Sequence, residues 1–129
     1  MILALLLAAA AQCAPVQLAI PPGSLFTPFG SAHLRRTSAN FAKAYAQACR
    51  EGLINGRPLP ARVYLHNAPE ANTASIYRSG KLMLLEYWFV TGDGRAHVPA
   101  VDDLHEAIYC AVHGASAKEQ EESGRCLPD

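Results

Sequence analysis

The feature that most constrains this fold is a nearly continuous apolar run, Leu82 to Val90, that follows a glycine turn. A strand with one exposed face alternates apolar and polar residues, whereas apolar residues at successive positions favour a strand that is buried on both faces. The Ser79-Gly80 pair before the run is typical of a tight turn, so Thr73 to Arg78 should fold back along it as a hairpin. The sequence therefore predicts a sheet in which residues 82–90 form a central strand.

A first helix is predicted before this hairpin. Apolar residues recur there at three- and four-residue steps, which is the spacing of one helix face. Thr37 or Ser38 is the predicted N-cap and Gly52 the predicted stop. The positions that define the apolar face are Phe41, Ala44, Tyr45, Ala48 and Cys49.

The remaining predicted elements complete an α+β domain. Residues 61–66 alternate apolar and polar side chains and predict a half-buried strand, and Arg95 to Val98 can add a short one. A second helix is expected from Val101 to His113, because Asp102 and Asp103 would lie in its first turn, where carboxylates favour the helix dipole. We therefore predict an α+β fold with a small antiparallel sheet of three or four strands packed by two helices.

The N-terminus, Met1 to Ala11, is rich in Leu and Ala, and Gln12-Cys13-Ala14-Pro15 follows it. A short apolar core that ends in small residues is typical of a secretory signal peptide, and it is shorter than the roughly 20 apolar residues that span a bilayer. Cleavage after Ala11 and cleavage after Ala14 both fit the pattern. A buried N-terminal helix is the alternative interpretation.

These observations predict an exported protein, either periplasmic or secreted, whose mature part has no transmembrane segment.

Half of the residues are apolar and 17% are charged, which is typical of a packed globular chain. The predicted organisation is a signal peptide over residues 1–14, an extended Pro- and Gly-rich segment over 15–36, and a single α+β domain over 37–129.

The disulfide candidates are Cys13, Cys49, Cys110 and Cys126. An oxidising compartment would permit disulfides, and the cleavage site decides whether Cys13 takes part. Cys110 can pair with Cys126 or with Cys49, and we slightly favour Cys126. Lipidation of Cys13 is disfavoured, because Gln12 is larger than the residue that normally precedes a lipidated cysteine.

Charge is distributed unevenly along a chain with no formal net charge. Eight basic and two acidic residues lie between Gly30 and Lys81, whereas three basic and nine acidic residues lie between Leu82 and Asp129. The two halves could attract each other within the fold, or they could form a bipolar surface that docks a charged partner. The neutral balance gives no reason to expect nucleic-acid binding.

One segment carries a possible catalytic motif. The second predicted helix contains His105-Glu106. Before it, residues 72–75 are mostly small, and Gly80 is followed closely by the apolar residues 82–84. Over residues 61–114 the chain thereby resembles the zincin metallopeptidases, whose H-E-x-x-H helix binds one zinc ion with two histidines while the glutamate polarises a water. The resemblance implies zinc as the cofactor, His105 as a metal ligand and Glu106 as the catalytic base.

The chain departs from the zincin motif at the second histidine, which is Tyr109 here. His113 is another candidate ligand, but eight helical residues separate it from His105 by about 12 Å along the axis, too far for two zinc–nitrogen bonds of about 2 Å. A complete site would need a break in the helix before His113, or His66 or His97 from the sheet. The resemblance therefore implies a degenerate and inactive domain.

Two classes of function follow from the sequence. The first is a small exported binding or accessory protein, non-catalytic and without a cofactor, that meets a protein partner in the cell envelope. The second is a zincin-like metallopeptidase domain, degenerate and inactive. The clustered aromatic residues of the predicted sheet are core side chains in the simplest interpretation, and some of them could remain exposed as a binding face.

Overall fold

The computed structural model describes residues 13–21, 30–54 and 59–112 of the chain, and these contain two helices and four strands. In chain order they are β1 (Gln17–Ala19), α1 (Gly30–Arg50), β2 (Arg62–Asn67), β3 (Ser75–Ser79), β4 (Leu82–Tyr87) and α2 (Val101–Val112). The predicted α+β class is therefore confirmed.

The four strands form one sheet in the order β1-β2-β4-β3. The apolar run thus supplies a central strand, as predicted, and β3 and β4 form the predicted antiparallel hairpin around Gly80, whose φ of +60° favours glycine. The prediction of an antiparallel sheet is otherwise wrong, because β2 is parallel to both β1 and β4. Crossovers explain the difference: α1 returns the chain between β1 and β2, and β3 returns it between β2 and β4.

Both helices contribute to one hydrophobic core with a single face of the sheet. The helices pack against each other, and α2 also packs against β3. Four of the five predicted apolar positions of α1 are buried, and the fifth, Cys49, is partly buried. The largest fully buried side chains include Phe41, Phe89, Leu65, Leu85 and Leu104. The stabilisation from this core comes mainly from removal of apolar surface from water.

The first helix begins at Gly30, seven residues before the predicted N-cap. Thr37 lies inside the helix, fully buried, and its hydroxyl donates to the His33 carbonyl one turn earlier at 3.1 Å. Threonine is favourable at N-caps, but it can also bond back to the i−4 carbonyl, and sequence alone does not separate the two cases. The predicted boundary at residue 37 therefore falls within α1.

The described segment between β4 and α2 contains no further strand and is held by backbone hydrogen bonds, such as His97 N–H to the Phe89 carbonyl at 2.8 Å, together with side-chain hydrogen bonds. Asn67 forms two bonds with Val90, accepting from its N–H at 2.9 Å and donating to its carbonyl at 3.0 Å. The short strand predicted at Arg95 to Val98 is reduced to one bridge between Val90 and Ala96. Asn40 of α1 donates to the Pro99 carbonyl at 3.0 Å, which attaches this segment to the first helix.

The segment predicted as an extended lead-in contains β1 and the first turns of α1. Leu18 of β1 is buried in the core beside β2, where it pairs with Val63. Within the described ranges, no helix is both long and apolar enough to cross a membrane.

Candidate functional site

Within the described ranges, the two helices cover one face of the sheet and no helix or strand covers the other. On the central strands, Leu65 and Leu85 are buried against the helices, and Val63 and Tyr87 lie on the same face. Side chains alternate along a strand, so the residues between them project to the opposite face. That face, which we call the open face, includes Tyr64, His66, Tyr77, Leu82, Leu84 and Glu86. Arg62, Ser75 and Ser79 lie on it as well, and all of these residues are at least partly exposed.

The strand register arranges the open face in rows. Tyr64 of β2 and Tyr77 of β3 both pair with Leu84 of β4, so that the two tyrosines lie on either side of one leucine. Tyr77 is 37% exposed, and Leu82, two residues before Leu84 on β4, is 42% exposed. Aromatic and aliphatic side chains therefore form a continuous, partly hydrated row across three strands.

Polar side chains form the next row. The Tyr77 hydroxyl donates to Glu86 Oε1 at 2.9 Å, and His66 Nε2 lies 3.7 Å from the same oxygen. Partial burial, and then the hydrogen bond and charge of Glu86, raise the pKa of Tyr77 to about 12. The phenol therefore remains protonated and donates to Glu86 at physiological pH. This arrangement orients the carboxylate between two neighbouring strands.

A second polar cluster lies beside the turn after β4. The rings of Trp88 and His97 stack with centroids 4.3 Å apart, and the His97 carbonyl accepts a hydrogen bond from His33 Nε2 of α1. Within the described ranges, the Trp88 indole N–H is the buried side-chain polar atom that lacks a hydrogen-bond partner. Because its contacts attach the turn to α1, we interpret this cluster as structural.

Two of the predicted zinc-site residues, His105 and Glu106, belong to α2, which covers the face of the sheet opposite the open face. His105 Nε2 contacts Glu51 Oε1 just after the end of α1, as a close hydrogen-bonded pair. Glu106 Oε1 lies 3.9 Å from the Cys110 sulfur, one turn along α2. His113 lies outside the described residues.

His66 and His97, the described histidines that could have completed a zinc site with His105, are not brought together with it. His66 lies on the open face, His97 stacks on Trp88, and His105 belongs to α2, which covers the opposite face of the sheet. In the described part of the chain, no group of three His, Cys, Asp or Glu side chains is close enough to hold a metal ion. The His105–Glu51 pair supplies two possible ligands, whereas zinc sites use three or four protein ligands, so this pair alone does not form a zinc site.

The three described cysteines, Cys13, Cys49 and Cys110, are all in disulfide bonds. Cys13 is bonded to Cys49 at the end of α1, with Cα atoms 6.2 Å apart, so Cys49 is not the partner of Cys110. Cys110 is itself disulfide-bonded, and none of the described cysteines is a free thiol. Cys126, its favoured partner from the sequence, lies outside the described residues.

The sequence did not single out the polar row of the open face. Tyr77 and Glu86 could have been paired from the hairpin alone, since a turn at Gly80 places Tyr77 opposite Leu84, two residues from Glu86. His66 gave no such signal, because its place beside Glu86 depends on the parallel pairing of β2 with β4, which are not adjacent in the chain.

Comparison of the chain with protein-family models, with curated proteins and with solved structures found no match.

Proposed function

We propose that this chain is a small exported binding protein, without catalytic activity of its own, that docks a protein partner of the cell envelope on the open face of its sheet. The observation that carries the proposal is the partly exposed aromatic and aliphatic row around Leu84, bordered by the exposed Leu82. Contiguous exposed apolar side chains mark interaction surfaces more often than chance positions do. A disulfide-bonded fold is compatible with export, because such bonds persist in oxidising compartments.

The composition of the open face suits a protein partner. Tyrosine is enriched at the centres of protein interfaces, since its ring buries apolar area and its hydroxyl keeps a hydrogen bond. Tyr64 and Tyr77 flank Leu84 in this way, and both are held on strands instead of mobile loops. A preformed surface loses little conformational entropy on association, which favours binding.

The polar row defines the chemistry expected of the partner. Glu86 is oriented by Tyr77 and lies near His66, at the border of the apolar row. A cationic side chain on the partner would meet this carboxylate, while an apolar patch would cover Leu82 and Leu84. We therefore expect a folded protein whose apolar patch is bordered by Lys or Arg.

Capture from envelope extract with matched variants tests the proposal. Leu82→Asp adds a charge to the open face, and Ala42→Asp adds the same charge at an exposed position of α1. Both positions are exposed, so both variants should fold, which thermal unfolding checks. The proposal expects one protein that is captured by the wild type and by Ala42→Asp, lost with Leu82→Asp, and bound again when purified. Equal capture by both variants would contradict it.

A second candidate function is a degenerate zincin-like domain. It is supported by the packing of α2, which carries His105 and Glu106, against the edge strand β3. Zinc titration by calorimetry of the wild type and of His105→Ala tests it. Stoichiometric binding that His105→Ala abolishes would favour this candidate, and the absence of binding would remove the metal-dependent form.

A further inference from the structure

The structure bears on where an exported form of this chain would be cleaved, a question that the sequence leaves open between Ala11 and Ala14. The inference rests on the export part of the proposed function. Its basis is that the residues just after the apolar N-terminal segment belong to the folded domain.

Cys13 is the first of these residues. Its disulfide to Cys49 joins it to the end of α1 across 36 residues of sequence. Cleavage after Ala14 would remove Cys13 and leave Cys49 without its partner. A thioether-linked lipid on Cys13 is incompatible with the same bond, because the sulfur is already used.

The residues that follow are attached by backbone contacts. Tyr45 is a buried residue of α1, and its partly buried hydroxyl donates to the Ala14 carbonyl at 2.6 Å. Gln17 N–H then donates to the Ala61 carbonyl at 2.9 Å, where β1 begins its pairing with β2. Cleavage after Ala14 would therefore remove the acceptor of a partly buried hydroxyl as well as the disulfide.

We propose that the exported chain is cleaved between Ala11 and Gln12, so that Gln12 is the first residue and Cys13 is retained. Small residues at the first and third positions before the cut favour cleavage by signal peptidases, and Ala9-Ala10-Ala11 has this form. Gln12-Cys13-Ala14 does not, because Gln12 is large. The local sequence and the fold thus favour the same cut.

Intact-mass and terminal-peptide analysis of the exported protein tests this cut. The full chain from Met1 is produced in a bacterial host, the envelope fraction is isolated, and free thiols are alkylated without reduction. The expected mass begins at Gln12, or is lower by one ammonia if the Gln12 amine has displaced its own side-chain amide nitrogen. The expected peptide map contains Cys13 bonded to Cys49, and neither cysteine is alkylated.

Two variants make the result specific. Ala11→Leu should abolish the Gln12 start, whereas Ala14→Leu should leave it unchanged. A mature chain that begins at Pro15 with an alkylated Cys49, or one that carries a lipid on Cys13, would overturn the proposal, as would any other first residue. A chain that keeps Met1 and stays out of the envelope would instead refute export, and with it the proposed function.

Discussion

The disulfide between Cys13 and Cys49 gives the most quantitative prediction. The double variant Cys13→Ser, Cys49→Ser releases the N-terminal segment while leaving every other described contact available. In the chain-entropy model, a cross-link stabilises the fold by restricting the unfolded chain, and the effect increases with the logarithm of the loop length. The 36-residue separation corresponds to about 4 kcal/mol at 25 °C.

Urea denaturation of the purified mature protein measures this loss. Trp88 is the one tryptophan of the chain and stacks on His97, so its fluorescence should report loss of the native packing. We expect the free energy of unfolding to fall by about 4 kcal/mol. The m-value should increase, because the unfolded chain without the cross-link exposes more surface.

Tyr45→Phe provides the matched comparison. It removes the hydrogen bond to the Ala14 carbonyl and leaves the disulfide intact, so it should cost about 1 kcal/mol. A double cysteine variant that loses less than about 1 kcal/mol would refute the reasoning, since the segment around Cys13 would then contribute no more than one hydrogen bond.

Three further predictions concern the sheet. Leu85→Ala should cost about 2–5 kcal/mol in urea denaturation, because Leu85 is fully buried on the central strand. Asn67→Ala should cost about 2 kcal/mol in the same assay, because it removes both hydrogen bonds to Val90. In the folded protein the pKa of Tyr77 is about 12, above its ordinary 10.0, so the wild type should lose stability as the pH rises from 10 towards 12. Tyr77→Phe has no phenol to ionise, so its free energy of unfolding should fall less over the same pH range.

Each of these has its own control. Leu84→Ala, on the open face of the same strand, should cost clearly less than Leu85→Ala, and an equal cost would mean that the open face is covered. Asn67→Asp keeps the acceptor for the Val90 N–H and should retain part of the stability; a loss as large as that of Asn67→Ala would contradict the two-bond account. If Tyr77→Phe follows the wild type between pH 10 and 12, the pKa of Tyr77 is not raised, which would contradict both its partial burial and its contact with Glu86.

Local sequence signals predicted the elements whose causes are local. The turn at Gly80 and the apolar run after it defined the hairpin and the central strand. The start of α1 was missed because Thr37 can cap a helix or bond back inside one, and the His33 carbonyl that it uses is part of the helix. Propensity alone cannot choose between these two conformations.

Features that depend on pairing between distant segments were not predicted. The parallel register of β2 with β4 follows from the crossovers and from burial of Leu65 against Leu85. The same pairing brings His66 to Glu86, so the polar row of the open face could not be found before the sheet order was known. The three-residue strand β1 was also missed, because it lies in a segment dominated by turn-forming residues.

Site-specific photocrosslinking most directly tests whether the open face binds a partner. A photoreactive phenylalanine derivative is placed at Leu82 in one protein and at Ala42 in another, and both are irradiated in intact cells that produce the full chain. We predict a covalent adduct with one envelope protein from position 82 and none with that protein from position 42. The same adduct from both positions, or from position 42 alone, would contradict the assignment of the open face as the binding surface.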